Sequence, residues 1–220
     1  PHFGVAAWKW DHYLRQNAHE NGVSATISDI VRTRANIALT KAKVGGQYAT
    51  TVIAKTVAAR AGYDEASLLD ADGYAAECTG QHLMIVRGQT ISTPPSVDVL
   101  EGVTRETVLT LAQDTGYAVT EERLTPAQVL AADEVFVCGT AAEVIGVTAI
   151  DGVMIGNGRV GRITGHLQQL YDDTVHGKNK YAAEWLDQMR GQNPWRKPQI
   201  SAISSQLSTR CSILKPESVR

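Results

Sequence analysis

The chain has 220 residues, 43% of them apolar, and a net charge of −2 from 21 basic and 23 acidic side chains. That length allows one large domain or two small ones with a buried core, while the balanced charge offers no basic face to nucleic acid. No apolar run is long enough to span a bilayer, and Cys78, Cys138 and Cys211, odd in number and without a CxxC pair, fit reduced cytosolic thiols better than a disulfide frame or a zinc site. A cytoplasmic protein acting on small molecules is the expectation.

The first residues have neither the basic start nor the apolar core of a signal peptide, and 3–8 reads as a buried strand already under way. A polar stretch, helical or looped, then runs to Gly22, and Val23, Ala25 and Ile27 alternate with polar neighbours as in a half-buried strand. Next comes Lys41-Ala42-Lys43-Val44-Gly45-Gly46-Gln47-Tyr48. Glycine reaches positive φ without a Cβ clash, so a sharp bend here could hold a lysine at the floor of a cleft, desolvated and nucleophilic, as Schiff-base chemistry requires. An ordinary solvated turn fits the same residues. Val52, Ile53, Val57 and Ala58 recur at helical spacing over 48–61, and Gly62 closes that helix.

Two hairpins follow: 66–69 with 74–77 about the turn Asp70-Ala71-Asp72-Gly73, and 83–86 with 90–93, together a meander. A helix over 103–115 turns Val108, Leu109, Leu111 and Ala112 inward. Strand 117–121, a short helix from Pro126 capped by Thr125, and a buried strand 134–138 lead to the break Gly139-Thr140-Ala141-Ala142. Asp151-Gly152 joins strands 144–150 and 153–155 in the strongest hairpin signal of the chain, and the last helix covers 163–175. Beyond 190 the composition turns to Ser, Gln, Pro and basic residues without a period, which reads as a disordered or loosely docked tail. Strands punctuated by helices make the fold mixed α/β, or α+β.

Gly156-Asn157-Gly158-Arg159-Val160-Gly161 matches G-x-G-x-x-G between a strand and a helix. A dinucleotide site also needs a following parallel strand with an acidic residue about 20 positions on, and the helix instead runs into Asp172-Asp173 and Lys178. It reads as a glycine-rich connection. The six histidines have no ligand spacing, and each is expected to be a surface or satisfied core side chain.

Five stretches taken in order resemble the branched-chain amino acid aminotransferase family of fold type IV pyridoxal-phosphate enzymes. They are the lysine stretch 41–48, Asp70 to Glu77, Leu100-Glu101-Gly102-Val103-Thr104-Arg105, 132–144, and Asp151-Gly152. The resemblance implies a pseudo-barrel of strands with surrounding helices, the large C-terminal domain of that fold, here residues 1–189, with 190–220 as the tail.

It implies further that Lys43, rather than Lys41, forms the Schiff base with pyridoxal phosphate and moves the α-proton. Tyr48 would meet the cofactor's phenolic oxygen, Glu77 the pyridine nitrogen, and Leu100 the ring. Val103 and Thr104 would hold the phosphate, with Thr140 as a second ligand; unpaired N–H groups at a helix start favour an anion on general grounds. Ala141 and Ala142 would receive the substrate carboxylate, and Tyr13 falls where the family places a pocket tyrosine. No metal is implied.

The implied reaction moves the amino group of leucine, isoleucine or valine to 2-oxoglutarate. The same fold also serves D-amino acid aminotransferases and aminodeoxychorismate lyases, and an inactive interaction domain is a third reading. Two departures stand out. After Glu77 the family usually runs through a glycine into an Asn-Leu-Phe-like strand, where this chain reads Cys78-Thr79-Gly80-Gln81-His82-Leu83-Met84, and the family's smaller N-terminal domain has no counterpart before residue 3. A homo-oligomer, dimeric or higher, with a separate chain supplying that domain is therefore the expected partner arrangement.

Overall fold

The computed structural model describes Gly4 and residues 13–33, 41–97 and 99–186. The strand expected over 3–8 and the tail expected over 190–220 lie outside the described residues.

A short turn of helix, α1 (Ala18–Asn21), precedes β1 (Val23–Val31), and a 3-10 turn (Gly45–Gln47) leads into α2 (Tyr48–Arg60). Neither Gly45 nor Gly46 takes positive φ. The bend expected there is a right-handed turn that carries the chain straight into the helix. Gly62, just past the end of α2, does take φ 88°, as a helix-closing glycine should.

Strands β2 (Glu65–Leu69), β3 (Ala75–Cys78), β4 (His82–Arg87) and β5 (Thr90–Thr93) form the expected meander, each antiparallel to the one before. The β2–β3 turn is pinned twice. The Asp70 carboxylate accepts the N–H groups of Asp72 and Tyr74 at 2.8 and 2.9 Å, and Arg123 reaches Asp70 and Asp72 at 2.6 and 2.7 Å.

After α3 (Val103–Asp114) and β6 (Ala118–Glu121) comes α4 (Pro126–Leu130), whose cap Thr125 exchanges hydrogen bonds with Gln128 in a capping box. Then follow β7 (Glu134–Gly139), β8 (Glu143–Ile150), β9 (Val153–Met154), α5 (Arg162–Val175) and α6 (Ala182–Trp185). Asp151 and Gly152 have φ 50° and 77°, the signs that a two-residue hairpin demands.

β1 lies parallel to both β2 and β8, β4 pairs antiparallel with β3 and β7, and β7 pairs with β8. The strands β1-β2-β3-β4-β7-β8 thereby close into a ring, with β5 and β6 continuing from β4 and β9 from β8. This is the mixed α/β pseudo-barrel expected from sequence.

Alternation along the strands sends side chains to two sides. Leu83, Ile85, Val135, Val137, Ile145 and Val147 join Val23 and Ala25 in one cluster, while Met84, Val86, Phe136 and Cys138 pack under Val108 and Leu109 of α3 and Ile163 and Leu167 of α5. Helix α2 differs from its sequence pattern. Only Ala54 and Ala58 pack inward, on Ala66 and Leu68, whereas Val52, Ile53 and Val57 are more than half exposed.

The glycine-rich run leads into α5 as expected, and the chain itself fills the place an anion would take. The Glu134 carboxylate accepts the N–H groups of Ile163 and Thr164 at 3.0 and 2.7 Å, and a Cβ on Gly161 would run into that carboxylate. A carboxylate on a helix N-terminus satisfies unpaired donors and meets the positive end of the dipole. Glu134→Ala is therefore expected to cost on the order of 1–2 kcal/mol, read as a lower midpoint in urea; an unchanged midpoint would show that the cap contributes nothing.

Candidate active site

The ring closes at its narrowest through a single opposed pair, Glu77 at the end of β3 and His82 at the start of β4. The turn between them, Thr79-Gly80-Gln81, is held from beneath by the fully buried Glu65. Its carboxylate accepts Thr79 Oγ1 at 2.5 Å, the Thr79 N–H at 3.3 Å and Lys55 Nζ at 2.8 Å. A cavity of about 270 Å³ opens over this turn, walled by the lysine loop, the start of α2, the residues before and at the start of α3, and the end of β7.

Lys43, Tyr48, Glu77, Leu100, Val103, Thr104 and Thr140 all line that cavity. Lys43 makes no hydrogen bond or ion pair among the described residues, and its side chain is exposed, not desolvated as a buried turn would have left it. Lys41 is committed elsewhere: its Nζ lies 2.6 Å from Glu101, tying the lysine loop to the residues that precede α3. Burial, and next the Glu77 carboxylate, push the Tyr48 phenol upward, so at neutral pH it is a neutral hydroxyl able to donate.

Glu77 is held on both oxygens. Oε1 accepts Arg32 Nε, just beyond β1, and Oε2 accepts the N–H of Leu100 at 3.2 Å. The carboxylate thus links β1, β3 and the approach to α3. Helix α3 begins after Gly102, and among the described residues no side chain accepts from the N–H groups of its first turn. That end faces the cavity through Gly102, Val103 and Thr104.

Three expected residues stand off the wall. Ala141 is exposed and Ala142 buried within the turn that follows Thr140, and neither lines the cavity. Tyr13 is half-buried behind the β3–β4 turn, where an added Cβ on Gly80 would meet its hydroxyl.

Among the cavity residues that sequence reasoning did not assign to the site, Arg32 and His82 stand out. Arg32 gave no signal, because its partner lies 45 positions away. His82 was expected to be satisfied; it is 6% exposed, yet its buried Nδ1 has no partner among the described residues. The departure Gln81-His82 at a position where the resemblance expects an asparagine was the available clue. His19, His166 and His176 do find partners, in Glu143, Tyr117 and Asp172.

Residues 4–150 match the family described as amino-transferase class IV. The chain belongs to the class IV aminotransferases. It is 41% identical over 184 residues to a branched-chain-amino-acid aminotransferase of Pseudomonas aeruginosa, an alignment covering 84% of this chain and 60% of that protein. The crystal structure of the Escherichia coli branched-chain amino acid aminotransferase superposes with a TM-score of 0.80 at 38% identity, over 83% of this chain and 60% of that one. A branched-chain aminotransferase from Thermobaculum terrenum, solved in its PLP form, gives 0.75 at 31% identity over 79% and 58%. The chain thus spans about 60% of the length of the curated relatives it matches.

His82 gives this class IV aminotransferase a measurable signature. Burial first, then the charges of Arg105, Arg32 and Lys43, lower its pKa to about 4, below the unfolded value of about 6.5. The unfolded chain therefore takes up a proton that the folded one refuses. Stability attributable to His82 is expected to fall by on the order of 3 kcal/mol as pH drops from about 6.5 to 4, then level off. Urea unfolding of wild type and His82→Asn across that range checks it: the variant should lose less stability than wild type, and parallel curves would contradict the burial of a neutral imidazole.

Proposed function

We propose that the protein is a pyridoxal-phosphate-dependent aminotransferase moving the amino group of leucine, isoleucine or valine to 2-oxoglutarate, with residues 1–189 as its cofactor-binding domain. The observation that carries this reading is the joint placement of Lys43, Tyr48, Glu77 and the start of α3 around one cavity. The names of the matched relatives support the substrate class.

The donor set fits the cofactor's four polar features. Lys43 would hold its carbonyl carbon, Tyr48 its ring hydroxyl, Glu77 its pyridine nitrogen, and the first-turn N–H groups of Val103 and Thr104, with Thr140, its phosphate. Leu100 would pack against the ring. When bound, pyridoxal phosphate supplies a carbonyl that takes up the amino group and a conjugated ring that accepts the electron pair of the broken Cα–H bond.

This chain's own residues do the rest. Lys43, which lines the cavity and has no hydrogen bond or ion pair among the described residues, takes the proton from the substrate's Cα on one side of the reaction and returns a proton on the other. Tyr48, kept neutral by burial and by Glu77, donates a hydrogen bond from Oη. Arg32 and the Leu100 N–H keep the Glu77 carboxylate aimed at a fixed place. The turn N–H groups of Ala141 and Ala142, which follow Thr140 just off the cavity wall, would receive the substrate carboxylate, and Tyr13, behind Gly80, would support that end of the pocket.

The reading includes an assembly of two or more copies in the cytoplasm. A region equivalent to the rest of the relatives' length, joined to this chain or provided by another, completes the pocket. The exposed apolar side of α2 beside the cavity, Val52, Ile53 and Val57, supports such a covering contact. Among the described residues no helix is long and apolar enough to cross a membrane.

Absorbance of the protein–cofactor complex tests the lysine assignment. Lys43→Ala should abolish the band of the covalently held cofactor and lower the leucine-to-2-oxoglutarate rate by more than about 10²-fold, whereas Lys41→Ala should keep the band. A band that survives in Lys43→Ala removes the proposal.

A further inference from the structure

Two helices begin after glycines, and they are served differently. The N-terminus of α5 is closed by Glu134. The N-terminus of α3 has no side-chain acceptor among the described residues, and what packs against it is an imidazole: a Cβ on Gly102 would strike His82 Nε2. The residue lines the cavity, is 6% exposed, and buries an Nδ1 that has no partner among the described residues. Within the first turn of α3 lies a buried cation, Arg105, 4% exposed; its Nη2 lies 3.1 Å from Glu121 and donates to the Pro94 carbonyl at 3.0 Å, while its Nε has no partner among the described residues.

The nitrogen that faces the start of α3 is Nε2, which carries an N–H in the charged ring and can then donate to an anion seated there. We propose that His82 is a further phosphate-recognising residue, which takes up a proton as a dianionic phosphate group settles on the N-terminus of α3. The idea rests on the reading of that helix start as the phosphate cup, and it adds a residue that lies outside the family resemblance.

The surroundings set the direction of the coupling. Arg105 from α3, Arg32 from the end of β1 and Lys43 from the lysine loop all oppose a charge on the ring in the anion-free protein. Glu77 lies opposite across β3 and Cys138 opposite across β7. Burial pushes the Cys138 thiol up to about 12, so it brings no charge at neutral pH. Two negative charges delivered at Gly102 outweigh the repulsion locally, and the proton follows the anion. Linkage makes this reciprocal: an anion that raises the proton affinity of His82 must bind more tightly as pH falls.

Sulfate is a suitable probe, because it remains a dianion between pH 5 and 7 and competes for phosphate cups without forming a covalent bond. Calorimetric titration of the cofactor-free protein with sulfate, in buffers of different ionisation heat, reads both the affinity and the protons taken up. The expected result is tighter binding at lower pH, by up to about tenfold per unit, with net proton uptake that grows across the same range. His82→Asn should bind sulfate with a flat pH profile and no uptake.

Sulfate that binds wild type with no uptake and no pH dependence overturns the role of His82 while leaving the cup in place. Sulfate that does not bind at all overturns the cup and the inference together. Should His82→Asn fail to fold, the uptake measured on wild type decides alone.

Discussion

The pair Glu77–His82 is where the ring of strands closes, and the cavity exists because that closure is so short. A longer β3–β4 ladder would carry backbone pairing across the opening. Here the ladder stops after one pair, and two polar side chains are left at the rim within reach of the approach to α3. Glu77 spends its oxygens on Arg32 and on the Leu100 N–H, so one carboxylate fixes three segments far apart in sequence. His82 leaves its Nδ1 without a partner among the described residues and packs against Gly102. The buried Glu65–Lys55–Thr79 contacts keep the connecting turn from drifting.

The two glycine-led helices show how one physical feature serves structure in one place and ligand binding in another. Both helix starts present unpaired donors and a positive dipole end. In α5 the chain provides the anion itself through Glu134, and the glycine-rich motif beside it becomes a structural joint. In α3 no side chain among the described residues does so, and the open donors face a cavity that Lys43 and Tyr48 also line. Motif matching alone favours the first of these as a nucleotide site. Which N-terminus is already satisfied reverses that choice.

Much of this architecture could be read from local signals. The α2 and α3 boundaries, the Thr125 cap and the Asp151-Gly152 hairpin follow from periodicity and turn chemistry, which act over a few residues. The order of the lysine stretch, Glu77 and the Leu100–Arg105 stretch likewise identified most of the cavity wall. What stayed hidden depends on contacts between distant strands. Arg32 matters only because β1 runs beside β2 and so beside Glu77, and the solitude of His82 is a property of its three-dimensional neighbours. Gly45-Gly46 misled in detail, since glycine permits positive φ without requiring it. Val52, Ile53 and Val57 carried a helical period, but the small Ala54 and Ala58 are what the close approach to β2 selects for burial.

The central claim is that one lysine of this loop, and not its neighbour two residues away, carries the chemistry. Borohydride trapping tests it most directly: the protein is mixed with pyridoxal phosphate, reduced and digested, and the modified peptide is located by mass spectrometry. The account predicts a pyridoxyl group on Lys43, with Lys41 unmodified in its ion pair with Glu101. A pyridoxyl group on Lys41, or none on this loop, would contradict it.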